Sequence, residues 1–187
     1  MCGRYSVYVD DDPGIREIIE QVQKLHPEVK TGEIFPTNLA SVIKADGGSG
    51  RITTAMTWGF PAWQSKRPII NARSETAMEK KIFQSSLENR RCVIPSTGYF
   101  EWNKEKQKFI FRLPDSAVVY LAGIWSEYNG EQRFCILTRV AEASIAGIHD
   151  RMPVILKPDE IDLWIHDHTA AELIMRSDPP VLGYKTA

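Results

Sequence analysis

The 187-residue sequence contains no run of eighteen apolar residues, so no segment reads as a membrane-spanning helix. Its opening, MCGRYSVYVDDD, lacks the basic flank and apolar stretch of a secretory signal, and a cytoplasmic protein with no membrane association is expected. Cysteine is scarce: Cys2, Cys92 and Cys135 are odd in number and widely separated, with no CxxC pair, which argues against a zinc or thioredoxin-type motif and implies reduced thiols. His166 and His168 stand two apart without further ligands and read as a polar loop, so neither a metal nor a cofactor is expected. An excess of positive charge is missing as well. The 23 Lys and Arg residues balance against 24 Asp and Glu for a net charge of −1, whereas a general nucleic-acid binder draws its affinity from neutralising phosphates. Any DNA site must therefore be local, and the clusters at Lys66-Arg67, Arg90-Arg91 and Lys104 to Lys108 read by themselves as solvated surface. Repeats and low-complexity segments are absent, and the one Gly/Ser-rich breaker, DGGSG at 46 to 50, reads as a hairpin loop, so a single domain over 1–187, acting as a monomer, is expected.

What is present is enough to build a core, since 43% of the residues are hydrophobic. Asp12 and Pro13 signal a helix start, and Ile15, Ile18, Ile19, Val22 and Leu25 follow at helical spacing, predicting a helix over about 13 to 25. Strand-like segments recur at 40–44, 52–58, 91–94, 99–102, 108–113, 118–128 and 134–140. Ser74 to Leu87 reads as a helix capped by Ser74, Ala141 to Ile148 as a short helix, and Pro158 to Ile165 as a last one. Strands without regular βα alternation predict an α+β fold, a mostly antiparallel, barrel-like sheet with a few flanking helices.

Several segments carry chemistry, though each alone has a structural alternative. Removal of Met1, the usual fate of methionine before a small residue, would leave Cys2 with a free amine and a thiol on adjacent carbons. Their reference pKa values, roughly 8 and 8.5, leave a nucleophilic fraction of each near neutral pH. A cysteine at position two is otherwise commonly incidental. NARSET at 71 to 76 joins an amide, the Arg73 guanidinium and an expected helix N-terminus, suited to a phosphate or carboxylate, or serving as an ordinary capping box. In GYFEW, strand alternation sets Glu101 against Phe100 and Trp102, so the acid faces a cleft, or solvent, if the aromatics face the core. HDRMPVIL sets His149 two residues before Arg151, or simply ends a helix ahead of a surface Asp150–Arg151 pair. Trp58, Trp63 and Trp102 are core residues by default and base-stacking platforms only if exposed.

In this order, the segments CGRY, PTN, WGF, NARSET, GYFEW and HDRMPVIL resemble the SOS response-associated peptidase family of abasic-site processing proteins, over about residues 2 to 165. The resemblance implies that Cys2 is the nucleophile, Asn71 positions it, Glu101 moves protons and His149 assists opening of the sugar ring. It assigns Arg4, Arg73 and Arg151 to phosphates, Trp58 and Trp102 to flanking bases, and Pro36 and Asn38 of the PTN segment to DNA contact. Tyr5 and Phe100 exchange Phe and Tyr relative to common versions, and the WGFPAW loop is short. The implied partner is single-stranded DNA containing abasic sites, met at the nucleoid, and the implied product a covalent thiazolidine crosslink that shields the site from cleavage. Competing readings are a cysteine peptidase or amidohydrolase acting on other molecules with the same residues, and a noncatalytic DNA-binding module.

Overall fold

A computed structural model describes residues 2–62 and 65–187, so the expectations for Met1 and Trp63 lie outside the described residues. Its strands are β1 (Arg4–Val7), β2 (Gly32–Ile34), β3 (Leu39–Ala45), β4 (Arg51–Trp58), β5 (Phe60–Ala62), β6 (Ser65–Ile69), β7 (Asn71–Arg73), β8 (Arg91–Ser96), β9 (Gly98–Trp102), β10 (Lys108–Arg112), β11 (Val119–Tyr128), β12 (Glu131–Val140), β13 (Arg151–Pro153), β14 (Ile155–Leu156) and β15 (Gly183–Thr186). The helices are α1 (Pro13–Gln23), α2 (Lys81–Asn89), the single turn α3 (Ala143–Ala146), α4 (Ile161–His166) and α5 (His168–Arg176).

Five strands close on themselves in the order β4, β3, β8, β11, β12 and back to β4, with every pairing antiparallel except β12 with β4. The β3–β4 turn is the DGGSG segment: Asp46 Oδ1 accepts the Gly48 N–H and the Asp46 N–H donates to the Gly50 carbonyl. Alternation then sorts the barrel residues onto two faces. Cys92, Ile94, Phe134 and Ile136 pack with Ile15 and Ile19 of α1 and with Tyr5, Tyr99 and Phe111 of a second sheet, ordered β15-β10-β9-β1-β2. Val93, Ala122, Cys135 and Leu137 face the other way, onto Phe83 and Leu87 of α2, Trp164 and Ile165 of α4, and Ile174 of α5. The α+β, barrel-like expectation therefore holds.

The differences lie where the backbone found tertiary partners. Ser74 caps nothing: its N–H donates to the Thr138 carbonyl, prolonging β7, and a 3-10 turn at Ala77–Glu79 precedes α2. The expected helix at 141 to 148 shrinks to α3 because Ala141 N–H is still bonded to Asp150 O. The last helix begins as a 3-10 turn at Pro158–Glu160 before α4. His166 and His168 are no loop; they close α4 and open α5 about Asp167, whose carboxylate caps the Ala170 N–H. Among the described residues no helix is long and apolar enough to cross a membrane.

Candidate active site

β1 and β9 pair antiparallel with Arg4 opposite Phe100, so the chain entering β1 through Cys2 runs beside Glu101. β9 can begin where it does because Gly98, at φ +151°, brings its α-carbon so close to β10 that a Cβ would stand 2.7 Å from the Phe111 carbonyl. Glu101 shares a face with Tyr99, turned inward, and is 3% exposed. The solvated-strand alternative for this acid is thereby ruled out. Phe100 lies on the opposite face under the Lys108 ammonium, 4.0 Å from the ring centre.

The other two members come from either side of the end of β12. β7 runs parallel to it, with Asn71 opposite Ile136 and Arg73 opposite Thr138, while β13 pairs antiparallel, with Arg151 opposite Val140. Ala72 enters the helix-side core, so Asn71 points to the opposite face, where its Nδ2 donates to the Cys2 carbonyl at 2.9 Å. His149 Nε2 lies 3.7 Å from Glu101 Oε2. His149 Nδ1 stands 3.0 Å from the Arg151 backbone nitrogen and 3.2 Å from the Arg151 carbonyl oxygen, so the Arg151 backbone holds the ring with Nε2 on the side of Glu101. Cys2, Asn71, Glu101 and His149 are thus gathered in one place.

Burial governs their electrostatics. It raises the Glu101 carboxyl from its ordinary 4.5 to about 7, a value suited to giving and taking protons near neutrality. Burial and the Glu101 charge together push the Cys2 thiol well up, and Sγ donates to the Arg4 carbonyl at 3.8 Å. Burial also lowers the His149 pKa, favouring the neutral ring, although the Asp150 carboxylate 3.2 Å from Nδ1 works in the opposite direction. Cys2 is 0% exposed. Among the described residues no group of three metal-binding side chains occurs.

The residues expected at DNA divide. Arg73 is exposed on the Asn71 face of β7, but the helix N-terminus expected beside it is absent. Arg4 lies between two rings, 4.2 Å from the Phe35 centroid and 5.0 Å from that of half-buried Trp102, and is paired with Glu33 at 2.9 Å. Pro36 and Asn38 form the turn after β2, where Asn38 Oδ1 accepts the Phe35 N–H and its carbonyl accepts the Trp58 N–H. Trp58 departs from expectation: it is fully buried, stacked on Phe134 with centroids 6.2 Å apart, and its Nε1 donates to the Ile70 carbonyl, so it cannot meet a base. Arg151 departs too, because its guanidinium is taken by Glu75 and Thr138 and its side chain is 10% exposed.

Glu33, Phe35 and Lys108, which joins Glu33 at 2.5 Å, were not singled out by sequence reasoning. The signal was available in the EIF triplet, whose alternation buries Ile34 and turns Glu33 and 41%-exposed Phe35 outward.

The family model described as SOS response associated peptidase (SRAP) matches residues 1–180. The abasic site processing protein YoaM of Bacillus subtilis is 32% identical over 189 residues, covering 89% of this chain and 79% of that protein. The abasic site processing protein YedK of Escherichia coli is 34% identical over 123 residues, or 62% of this chain and 55% of its own length. A solved structure of a Bordetella bronchiseptica protein superposes with a TM-score of 0.78, covering 100% of this chain and 99% of the other, and at 20% identity that likeness is one of fold.

Proposed function

The chain belongs to the SOS response-associated peptidase family, and from that premise we propose that, once Met1 is removed, it captures abasic sites in single-stranded DNA as a covalent thiazolidine on Cys2. The observation that carries this reading is the convergence on Cys2 of the Asn71 amide, 2.9 Å from its carbonyl, and of a buried carboxyl with a half-buried imidazole 3.7 Å from it. An abasic deoxyribose is mostly a closed hemiacetal. Protonated Glu101 or His149 delivers a proton to the ring oxygen as the C1′ hydroxyl loses its own, exposing the aldehyde. The neutral Cys2 amine adds to C1′, and water leaves with a proton from the same acid to give the Schiff base. The thiol then adds to that carbon and its proton returns to the carboxylate. Aldehyde and aminothiol thus become a five-membered ring plus one water, with closure favoured by its intramolecularity. Consuming the imine removes the species that undergoes β-elimination, so the strand is kept whole.

While Met1 is attached, the Cys2 nitrogen belongs to a peptide bond and the capture chemistry is blocked. The family's description as a peptidase supports self-removal of Met1 through the Cys2 thiol with Glu101 as base; an aminopeptidase would produce the same terminus. The protein then acts in the cytoplasm, on exposed single strands of the nucleoid.

The test is incubation with an abasic single-stranded oligonucleotide followed by a denaturing gel. One stable adduct per protein is expected, and none from Cys2→Ala. Catalytic release of a cleaved product without an adduct would favour the hydrolase reading, and equal binding to intact and abasic strands without an adduct would favour a simple binding module.

A further inference from the structure

Glu75 lies outside the four residues placed around the proposed reaction, and its side chain is 43% exposed. Its carboxylate nonetheless accepts donors from two other segments of the chain. Arg151 Nη1 and Nη2 approach Oε1 and Oε2 at 2.7 and 2.9 Å, and the Val140 N–H donates to Oε1 at 3.1 Å. Arg151 Nη2 also donates to the Thr138 carbonyl at 2.6 Å, which accepts the Ser74 N–H as well. One carboxylate therefore ties together the turn after β7, the end of β12 and the start of β13. Those are the segments that carry the site: Asn71 stands four residues before Glu75, and His149 two before Arg151. The link to His149 is direct, since the Arg151 backbone nitrogen and carbonyl both contact Nδ1, at 3.0 and 3.2 Å, and so turn Nε2 toward Glu101.

We propose that Glu75 is a positioning residue for the capture reaction: by holding the Arg151 guanidinium across the end of β12, it fixes the imidazole of His149 against Glu101 and Cys2. This rests on the capture reading above. The bidentate fork constrains orientation as well as distance, which a single charge contact does not. With Gln at position 75, a neutral amide cannot satisfy both arms, and the buried guanidinium must turn toward another acceptor or toward water. Arg151 then loses its side-chain anchor, keeping only its pairing with β12, and His149 Nδ1 loses a fixed backbone partner. A displacement of the acid on the ångström scale slows a reaction of this kind about ten- to a hundredfold without weakening substrate binding.

The experiment uses the full chain with Met1 removed, carrying either Glu75 or Gln, and has two arms. In the first, imidazole nitrogen NMR of His149 without DNA should show a single tautomer in the parent protein, held by the Arg151 backbone, and a shifted or mixed one in Glu75→Gln. In the second, the rate constant of adduct formation at saturating abasic oligonucleotide should fall about ten- to a hundredfold, with the half-saturating concentration little changed. Arg151→Lys, which keeps the charge but loses the fork, should show the same loss, and the double variant little more than either alone. Glu79→Gln, an exposed glutamate on the following turn, should change nothing. If Glu75→Gln is folded and leaves both the His149 signals and the rate constant as they were, the proposal is overturned. It is equally overturned if Glu75→Gln binds DNA more tightly at an unchanged rate constant, for Glu75 would then merely compete with a phosphate for Arg151. Should the parent protein form no adduct at all, the capture reading fails, and the NMR arm still decides whether Glu75 sets the imidazole.

Discussion

Arg91 and Arg151 are both buried arginines, on opposite faces of the barrel, and their partners differ in kind. Among the described residues, Arg91 donates only to backbone carbonyls at the C-terminal ends of two helices: Leu87 and Glu88 of α2 at 2.8 and 2.6 Å, and Trp164 and Ile165 of α4 at 2.5 and 3.2 Å. Those carbonyls lack partners within their helices and carry the negative end of the helix dipole, so the cation welds α2 to α4 and cannot exchange its ligands without unpacking both. Arg151 leans on a carboxylate that is nearly half exposed and that also accepts the Val140 N–H beside the candidate site. The helix face thus uses buried polarity to hold shape, while the sheet face uses it to hold the residues of the candidate site.

Substitutions on the two faces should therefore fail in different assays. The largest effect belongs to Glu101→Gln, which keeps shape and removes the proposed proton-transfer group; single-turnover adduct formation should slow about 10²- to 10⁴-fold with the fold intact. Stability should respond in the opposite sense. Burial raises the folded-state pKa of Glu101 to about 7 from 4.5, so its contribution is fully present below pH 4.5 and is lost as pH rises through 7. Glutamine at 101 removes that decline, a difference of up to about 3 kcal/mol at pH 8 by chemical denaturation, at 1.36 kcal/mol per pKa unit. Parallel stability curves for the two proteins across that range would contradict the burial argument.

Arg91→Met is the mirror experiment. It strips donors from four helix-terminal carbonyls and should cost about 3 kcal/mol or more of stability, while the adduct rate constant, measured well below the melting transition, stays at the parent value. A slowed reaction in a folded Arg91→Met protein would mean that the two faces are coupled. The smallest pair of effects separates two tryptophans. Trp102→Ala should weaken single-strand binding by about 1–3 kcal/mol and leave melting unchanged. Trp58→Phe should lower stability by about 1 kcal/mol through the lost bond to the Ile70 carbonyl and leave binding unchanged; the reverse pattern would exchange their roles.

Local signals made much of the fold legible. Asp12 before Pro13 marked α1, and its carboxylate does cap Gly14 and Ile15; DGGSG marked the β3–β4 turn; period-two runs marked the barrel strands. What was illegible depends on partners distant in the chain. Nothing in Ser74 reveals that Thr138 will claim its N–H, and nothing near Arg151 reveals Glu75, 76 residues away. Trp58 and Trp102 both end strands, and only the packing of Tyr5 and Phe134 around the first makes it core. The site was legible by resemblance rather than by pattern. Cys2 and Asn71 are 69 residues apart, and no periodicity links them. Resemblance in turn misjudged the surroundings of Trp58 and Arg151, where this chain's own packing decides what reaches solvent.

The most direct measurement of the central claim is the intact mass of the purified protein before and after mixing with an abasic single-stranded oligonucleotide. The account predicts a chain lacking Met1 that becomes a single species heavier by one oligonucleotide less one water, with the oligonucleotide uncleaved. An adduct on a chain that still carries Met1, or a cleaved oligonucleotide beside unmodified protein, would contradict it.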